Sequence, residues 1–171
     1  MLTQSEIKKI LHYEPLSGDF TWLVSPNGCV KAGDKLGHVH KASGGLKYVR
    51  AYVNGKRYRV HRLAWLWMTG SWPKNLIDHI DGDGMNNSWT NLRDVTNSQN
   101  MRNTKIYSDN STGHPGVYFC KQTKKWRVRI QTDPGIRKSI GYFDSLEDAK
   151  AARLQAEKDS GYHENHGREA T

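Results

Sequence analysis

Leu76-Ile77-Asp78-His79-Ile80, then the turn-rich Asp81-Gly82-Asp83-Gly84, then Asn91-Leu92-Arg93-Asp94-Val95-Thr96-Asn97-Ser98-Gln99-Asn100 decide how this chain folds. Two short runs with apolar residues flank a stretch rich in Gly, Asp and Asn, which reads as one long turn over 81–90. Thr96 followed by Gln99 is a capping box, so a helix starts at Thr96 and carries Asn100 on its first turn. The predicted order is strand, long turn, strand, helix. In the first strand the carboxylate of Asp78 adjoins the imidazole of His79, and Asn91 and Asn100 follow 13 and 22 residues after Asp78.

Those residue types suit hydrolysis of a phosphodiester. The reaction needs a base for the attacking water, a cation on the phosphate and help for the leaving 3′ oxygen. His79 is the candidate base, because an imidazole titrates near ~6.5. Asn91, on the neighbouring strand, is placed to accept from the other ring nitrogen and fix the tautomer. Asp78 and Asn100 are hard oxygen donors. Two protein ligands leave coordination sites for phosphate and water, which favours Mg²⁺ or Mn²⁺ over a closed zinc site.

Other readings of the stretch are weaker. An EF-hand counted from Asp81 fails, since its twelfth position is Leu92 and its sixth is Asn86. Asp81, Asp83, Asn86 and Asn87 read as turn-formers. Asn97 and Asn103 lie near Asn100, but Asn97 points elsewhere on the helix, and Asn100 is preferred over Asn103, which shares its face. His61, at a helix start, reads as packed or hydrogen-bonded rather than catalytic. His12, His38, His40, His114, His163 and His166 lack paired spacing and read as surface residues.

The chain has 171 residues, a net charge of +9, six Trp, eight Tyr and three Phe, enough for one or two small packed domains. Such a basic chain points to nucleic acid before an anionic membrane surface. No apolar run reaches the about 20 residues of a membrane span and no leader is visible, so a soluble intracellular protein is expected. The only cysteines, Cys29 and Cys120, form no paired motif, which argues against zinc fingers and disulfide scaffolds; both read as small, buried or half-buried side chains.

Upstream, Thr3 and Glu6 cap a short helix whose apolar face is Ile7, Ile10 and Leu11. A hairpin follows over 13–22, with its turn at 15–19 and Phe20 and Trp22 inward. Residues 23–45 read as glycine-rich loops with one short strand. A second hairpin spans 46–60 around Asn54-Gly55, a type I′ signal. Arg50, Lys56, Arg57, Arg59 and Arg62 cluster there, interleaved with tyrosines, and are expected to contact DNA phosphates. A helix over 61–68 ends at Gly70.

Downstream, residues 105–115 read as a linker and three strands follow, over 117–121, 126–131 and 138–143. A helix over 145–159 presents Leu146, Ala149, Ala152 and Ala156 to the sheet. Residues 112–142 carry seven Lys/Arg against one acid, and residues 144–159 carry three against five, so the sheet is basic and the helix mildly acidic. Alternation puts Arg127, Arg129 and Gln131 on one face and Trp126, Val128 and Ile130 on the other, against the helix. The tail over 161–171 is expected to fray.

Val60-His61-Arg62-Leu63-Ala64-Trp65, the run 77–83 around Asp78-His79, Asn91-Leu92-Arg93 and Asn97-Ser98-Gln99-Asn100 together resemble the phage-type HNH endonucleases, many of them homing endonucleases. The resemblance spans about 13–105. It implies the ββα-metal fold, with His79 as general base, Asn91 as the middle residue of the motif, and Asp78 and Asn100 as metal ligands. Asn100 stands where the family name has His, a variant that some phage homing members resemble. Gly116-Val117-Tyr118, Lys125-Trp126-Arg127 and Gly141-Tyr142-Phe143 before an Ala-rich helix are similar to an APETALA2-type DNA-binding domain. That likeness implies Arg127, Arg129 and Gln131 as major-groove contacts.

The expectation is thus an α+β chain in four parts. An HNH domain with N-terminal hairpins occupies 1–104, followed by the linker over 105–115. A small three-stranded antiparallel sheet packed on one helix occupies 116–160, and the tail is 161–171. The expected activity is Mg²⁺- or Mn²⁺-dependent nicking of double-stranded DNA by a monomer, with no other cofactor and no membrane partner. The resemblance places it in the cytoplasm of a phage-infected bacterium. The rival readings are a non-catalytic, sequence-specific regulator using the C-terminal sheet, and an RNA-interacting protein whose aromatics stack bases.

Overall fold

Thr3 opens the fold as the sequence predicts. Its hydroxyl accepts from the Glu6 amide, and Glu6 in turn accepts from the Thr3 backbone, which starts helix α1, Gln4–Ile10. The computed structural model describes residues 1–42, 45–101, 110, 112–133 and 136–162. The chain divides into two compact units, Met1–Val95 and Thr96–Thr171.

In the first unit, α1 stops one residue before Leu11, which was expected on the helix. Leu11 instead opens β1, Leu11–Glu14, paired antiparallel with β2, Asp19–Trp22. Leu11 is buried all the same, because alternation along β1 turns Leu11 and Tyr13 inward while Phe20 and Trp22 do so on β2. The three-stranded sheet β3, His38–Lys41, β4, Lys47–Val53, and β5, Lys56–Arg59, follows in that order. Asn54 and Gly55, both at positive φ (48° and 76°), make the turn between β4 and β5. Helix α2, Val60–Thr69, sets Leu63, Ala64 and Leu66 into the core against Ile7, Tyr13, Phe20 and Val53. The two-stranded β6, Leu76–His79, and β7, Leu92–Val95, close the unit, with a 3-10 turn, Trp89–Asn91, just before β7.

The second unit begins with α3, Asn97–Met101, capped reciprocally by Thr96 and Gln99 as expected. The antiparallel sheet β8, Val117–Cys120, β9, Lys125–Asp133, and β10, Ile136–Phe143, has β9 in the middle. Helix α4, Leu146–Asp159, capped by Ser145, packs on it through Ala149 and Leu146 against Val117 and Val128. The expected linker falls mostly outside the described residues, and so does the tail beyond residue 162, including His163 and His166. Cys29 is exposed rather than buried, Cys120 is half-buried, and both are free thiols. Among the described residues no helix is long and apolar enough to cross a membrane.

The first hairpin braces the loop that follows β6. The hydroxyl of buried Tyr13 donates to the Asn87 carbonyl at 2.6 Å, and the Trp89 amide donates to the Pro15 carbonyl at 2.8 Å. Gly18 lies against the same segment: a methyl group there would come within 2.2 Å of the Asn87 carbonyl carbon and 2.3 Å of the Ser88 nitrogen. Its φ of +78° adds strain for any L side chain. Gly18→Ala should therefore lower unfolding free energy by about 2–4 kcal/mol. Gly28→Ala, with nothing within 4 Å of the added carbon, should stay within about 0.5 kcal/mol. Urea denaturation of the two variants checks this.

Candidate active site

The pairing of β6 with β7 sets Asp78 opposite Arg93 and His79 opposite Leu92. The Arg93 guanidinium reaches Asp78 Oδ2 twice, from Nε at 3.0 Å and from Nη2 at 2.7 Å. Both side chains are mostly shielded from solvent, which makes this a stronger pair than a surface ion pair. The cross-strand partner of Asp78, unmarked in the sequence, follows from register alone.

His79 is buried, and its Nε2 lies 3.1 Å from Asn87 Oδ1. Asn87 Nδ2 donates to the Met85 carbonyl at 3.1 Å, which orients the amide oxygen toward the ring. With that oxygen as acceptor, Nε2 carries the proton and Nδ1 the lone pair. Asn91, expected in this orienting role, bonds elsewhere, and Asn87, expected as a turn-former, is the amide that meets the ring. Asn91 Nδ2 donates to Asp81 Oδ1 at 2.9 Å and to the Asn86 carbonyl at 2.8 Å, while its Oδ1 accepts from the Asp81 amide at 3.0 Å. Asn91 is the clamp of the loop over 81–87. No sequence signal separates Asn87 from Asn86, since both sit in a run of turn-forming residues.

The rest of the loop is a self-bonded turn, as predicted. Asp81 accepts from the Asp83 amide and from Asn86 Nδ2, and Asp83 accepts from the Met85 amide. Burial pushes the Asp81 carboxyl up, but the hydrogen bonds from Asn86, Asp83 and Asn91 outweigh it and hold the group below the ordinary carboxylate range. Among the described residues no three His, Cys, Asp or Glu side chains cluster as a metal cage. A hard oxygen donor such as the Asp78 carboxylate would suit Mg²⁺ or Mn²⁺ rather than a closed thiolate or imidazole site.

Asp78 and His79 on β6 and Asn91 just before β7 thus all belong to the first unit. Asn100 lies half-buried on α3 of the second unit. Asn103 lies outside the described residues. His61, read from sequence as packed, is buried on the first turn of α2, its ring centroid 5.0 Å from that of His79 at an interplanar angle of 79°. Burial, then the charges of His79, Arg59 and Arg62, push its pKa down to about 3, so the ring is neutral. Its Nδ1 is buried and has no partner among the described residues, a condition that costs about 1–3 kcal/mol.

Register sorts the predicted DNA contacts. Arg50 pairs with Arg59 and Tyr52 with Arg57, so Arg50, Arg57 and Arg59 share a face of the β3–β4–β5 sheet with Tyr48 and Tyr52. Lys56 lies on the opposite face, and Arg62 sits on α2 with its guanidinium 6.0 Å from the Trp72 ring. Tyr48 joins the basic face to the His79 loop: its ring lies 6.3 Å from His79, and a methyl group at Gly84 would come within 2.7 Å of it. In the second unit, the Arg127 guanidinium sits 5.4 Å from the Tyr142 ring and that of Arg129 5.7 Å from Tyr118. Buried Val128 and Ile130 point the other way, so the predicted alternation of β9 holds.

Comparison with known proteins now places this geometry. Residues 58–102, which include His61, Asp78, His79, Asn87, Asn91 and Asn100, match the model of the HNH endonuclease family. Protein 3.8 of Escherichia phage T7 is 36% identical over 93 residues, covering 54% of this chain and 76% of that protein. A solved structure described as DNA binding and cleavage by the HNH homing endonuclease I-HmuI is similar at 21% identity, over 92% of this chain and 90% of that one, with a TM-score of 0.37. The chain belongs to the HNH endonuclease family.

Proposed function

We propose that this protein is a divalent-metal-dependent DNA endonuclease that nicks double-stranded DNA at a preferred site, with His79 as its general base. One observation carries the reading: a buried imidazole, held as the Nε2–H tautomer by Asn87, adjoins a carboxylate in the same strand. A core histidine serving only to pack has no need of an oriented tautomer beside Asp78.

In this mechanism His79 Nδ1 takes a proton from water as the water attacks phosphorus. The bond from phosphorus to the 3′ oxygen breaks and that oxygen takes a proton from solvent water, leaving 3′-hydroxyl and 5′-phosphate ends. Asn87 keeps the accepting nitrogen fixed and stabilises the imidazolium through the Nε2 proton. Asp78 supplies the negative charge that holds the cation, and Arg93 keeps that carboxylate in place. Asn100 is the second proposed ligand, on the strength of its place in the family motif. When bound, Mg²⁺ or Mn²⁺ neutralises charge on the phosphate and on the leaving oxygen. Asn91 acts indirectly, by holding the loop that carries Asn87.

The proposed grip on DNA has two parts. Arg50, Arg57 and Arg59 on one sheet face, with Lys56 and Arg62 beside it, match a phosphate backbone. Arg127, Arg129 and Gln131 on the second unit's sheet are the base-reading candidates, in keeping with the APETALA2-type likeness of residues 116–160. A purely regulatory DNA-binding protein would use the second sheet alone and leave the oriented His79 without a purpose.

On supercoiled plasmid carrying the source sequence, the native chain with Mg²⁺ should produce open circles, and a chelator should stop it. His79→Ala should slow nicking by about 10²–10⁴-fold, and Asn87→Ala by about 10–100-fold. Equal nicking by His79→Ala would overturn the assignment of the base. Binding should weaken steeply with salt. Arg59→Ala should reduce the slope of log affinity against log salt by about one, which titrations at several salt concentrations would read. An unchanged slope removes Arg59 from the phosphate contacts.

A further inference from the structure

Two histidines of the basic sheet have no part in the proposed reaction. Register puts His38 of β3 opposite Arg50 of β4, and Arg50 opposite Arg59 of β5. His40 stands two positions further on, opposite Tyr48. Opposed residues share a face, so His38, His40, Arg50 and Arg59 all project from one side of this sheet. The Arg59 guanidinium lies 5.0 Å from the Tyr48 ring on that side. The other side is occupied: Ala51 and Val53 are buried in the core, and Val49 packs against it. The histidine face is therefore the open one, with His38 exposed and His40 half-buried.

The acids around this face are engaged elsewhere. Asp34 lines a cleft with His38 and Lys35, but it accepts from the Lys31 amide at 2.7 Å. Asp19 pairs with Lys35 at 2.8 Å. The loop that meets β4 at Gly84 carries Asp81 and Asp83, and both accept hydrogen bonds from within that loop. Lys41 and Lys47, paired at the end of the sheet, take the opposite face by alternation. The two imidazoles are thus set among cations. Partial burial, then the charges of Arg50, His38 and Arg59, hold the His40 ring below its ordinary titration range.

A polyanion reverses that balance. Phosphates laid along Arg50 and Arg59 cancel the repulsion, and an imidazolium donates a charge-assisted hydrogen bond that a neutral ring does not. We propose that His38 and His40 are DNA phosphate contacts that form by taking up protons, so that the nuclease binds its substrate more tightly as pH falls. This inference rests on the DNA-binding reading above and adds two contacts and a proton linkage to it. Linkage sets the direction: a group that holds a proton more firmly in the complex than in the free chain favours the complex wherever it is charged in one and neutral in the other. Affinity is flat above the titration range of the complex, climbs as pH falls through it, and levels off below that of the free chain.

The test is calorimetric titration of the full chain with duplex DNA of the source sequence, with EDTA present so that no strand is cut. Repeating it in buffers of different ionisation heat counts the protons. The native chain should take up about one to two protons, and its affinity should rise roughly three- to thirtyfold from about pH 8 to pH 6. The slope of log affinity against log salt should be steeper at the lower pH by about one to two. H38Q/H40Q keeps polar side chains that cannot charge, and should show neither the rise nor the uptake. H40K carries a fixed charge; it should bind more tightly than the native chain near pH 8 and vary less with pH.

A native affinity that ignores pH overturns the proposal, and so does a rise that survives in H38Q/H40Q. Should the double variant fail to fold, H40K decides: a weaker dependence on pH supports the contact, and a dependence equal to that of the native chain overturns it. A native chain that binds no duplex at any pH or salt defeats the DNA-binding reading itself, an outcome distinct from tight binding without proton uptake.

Discussion

The hydrogen bond between Asn87 Oδ1 and His79 Nε2 is the contact on which the rest of this site depends. It is only as good as the placement of Asn87, and that placement is built from several directions. The Met85 carbonyl turns the amide, the Tyr13 hydroxyl holds the main-chain carbonyl, and the turn at Gly18 presses against the same peptide. Asn91 ties the loop from within, through Asp81 and Asn86. The N-terminal hairpin, which carries none of the proposed chemistry, is therefore a brace for the imidazole. Buried polar networks of this kind are strong when every member is satisfied and costly when one is lost.

Charge gives the second constraint. Arg50 and Arg59 face each other across β4 and β5, and His38 stands opposite Arg50 on β3. Like charges in directly opposed positions work against a sheet. Among the described residues neither arginine has an acidic ion-pair partner, whereas Arg93 is matched to Asp78 and Arg153 to Glu157. A polyanion laid across this face would relieve the repulsion, which ties the strain of the free protein to its proposed substrate. Arg59 also lies over a ring, 5.0 Å from that of Tyr48, and the arginines of the second unit are held in the same way. Arg127 and Arg129 lie over tyrosine rings, which limits their motion before any contact is made.

Much of the fold was legible because its signals are local. Capping boxes at Thr3 and Thr96, the Asn54-Gly55 turn and the alternation around Val128 each depend on neighbours within a few residues, and each appears where expected. The boundary misplaced at Leu11 is also local: an apolar residue at the junction suits the last turn of a helix or the first position of a strand equally well. Arg153 shows the opposite case. Its place in a charged stretch of helix suggests a solvated side chain, but it is buried, donating to the Arg129 carbonyl at 2.6 Å and to Glu157 at 2.8 Å. Nothing nearby in sequence announces a contact 24 positions away.

The sequence by itself determined the element order, the segregation of basic residues, and the adjacency of Asp78 and His79, because these follow from composition, caps and strand periodicity. Which asparagine orients the base was decided only in three dimensions. Asn86, Asn87 and Asn91 are chemically alike, and the distinction arises from a loop path set by Tyr13 and Gly18, about seventy positions upstream. The same holds for His61, whose ring meets His79 only because α2 packs beside the hairpin. Side-chain chemistry is written in the chain, but the partner that puts it to use is chosen by packing between distant segments.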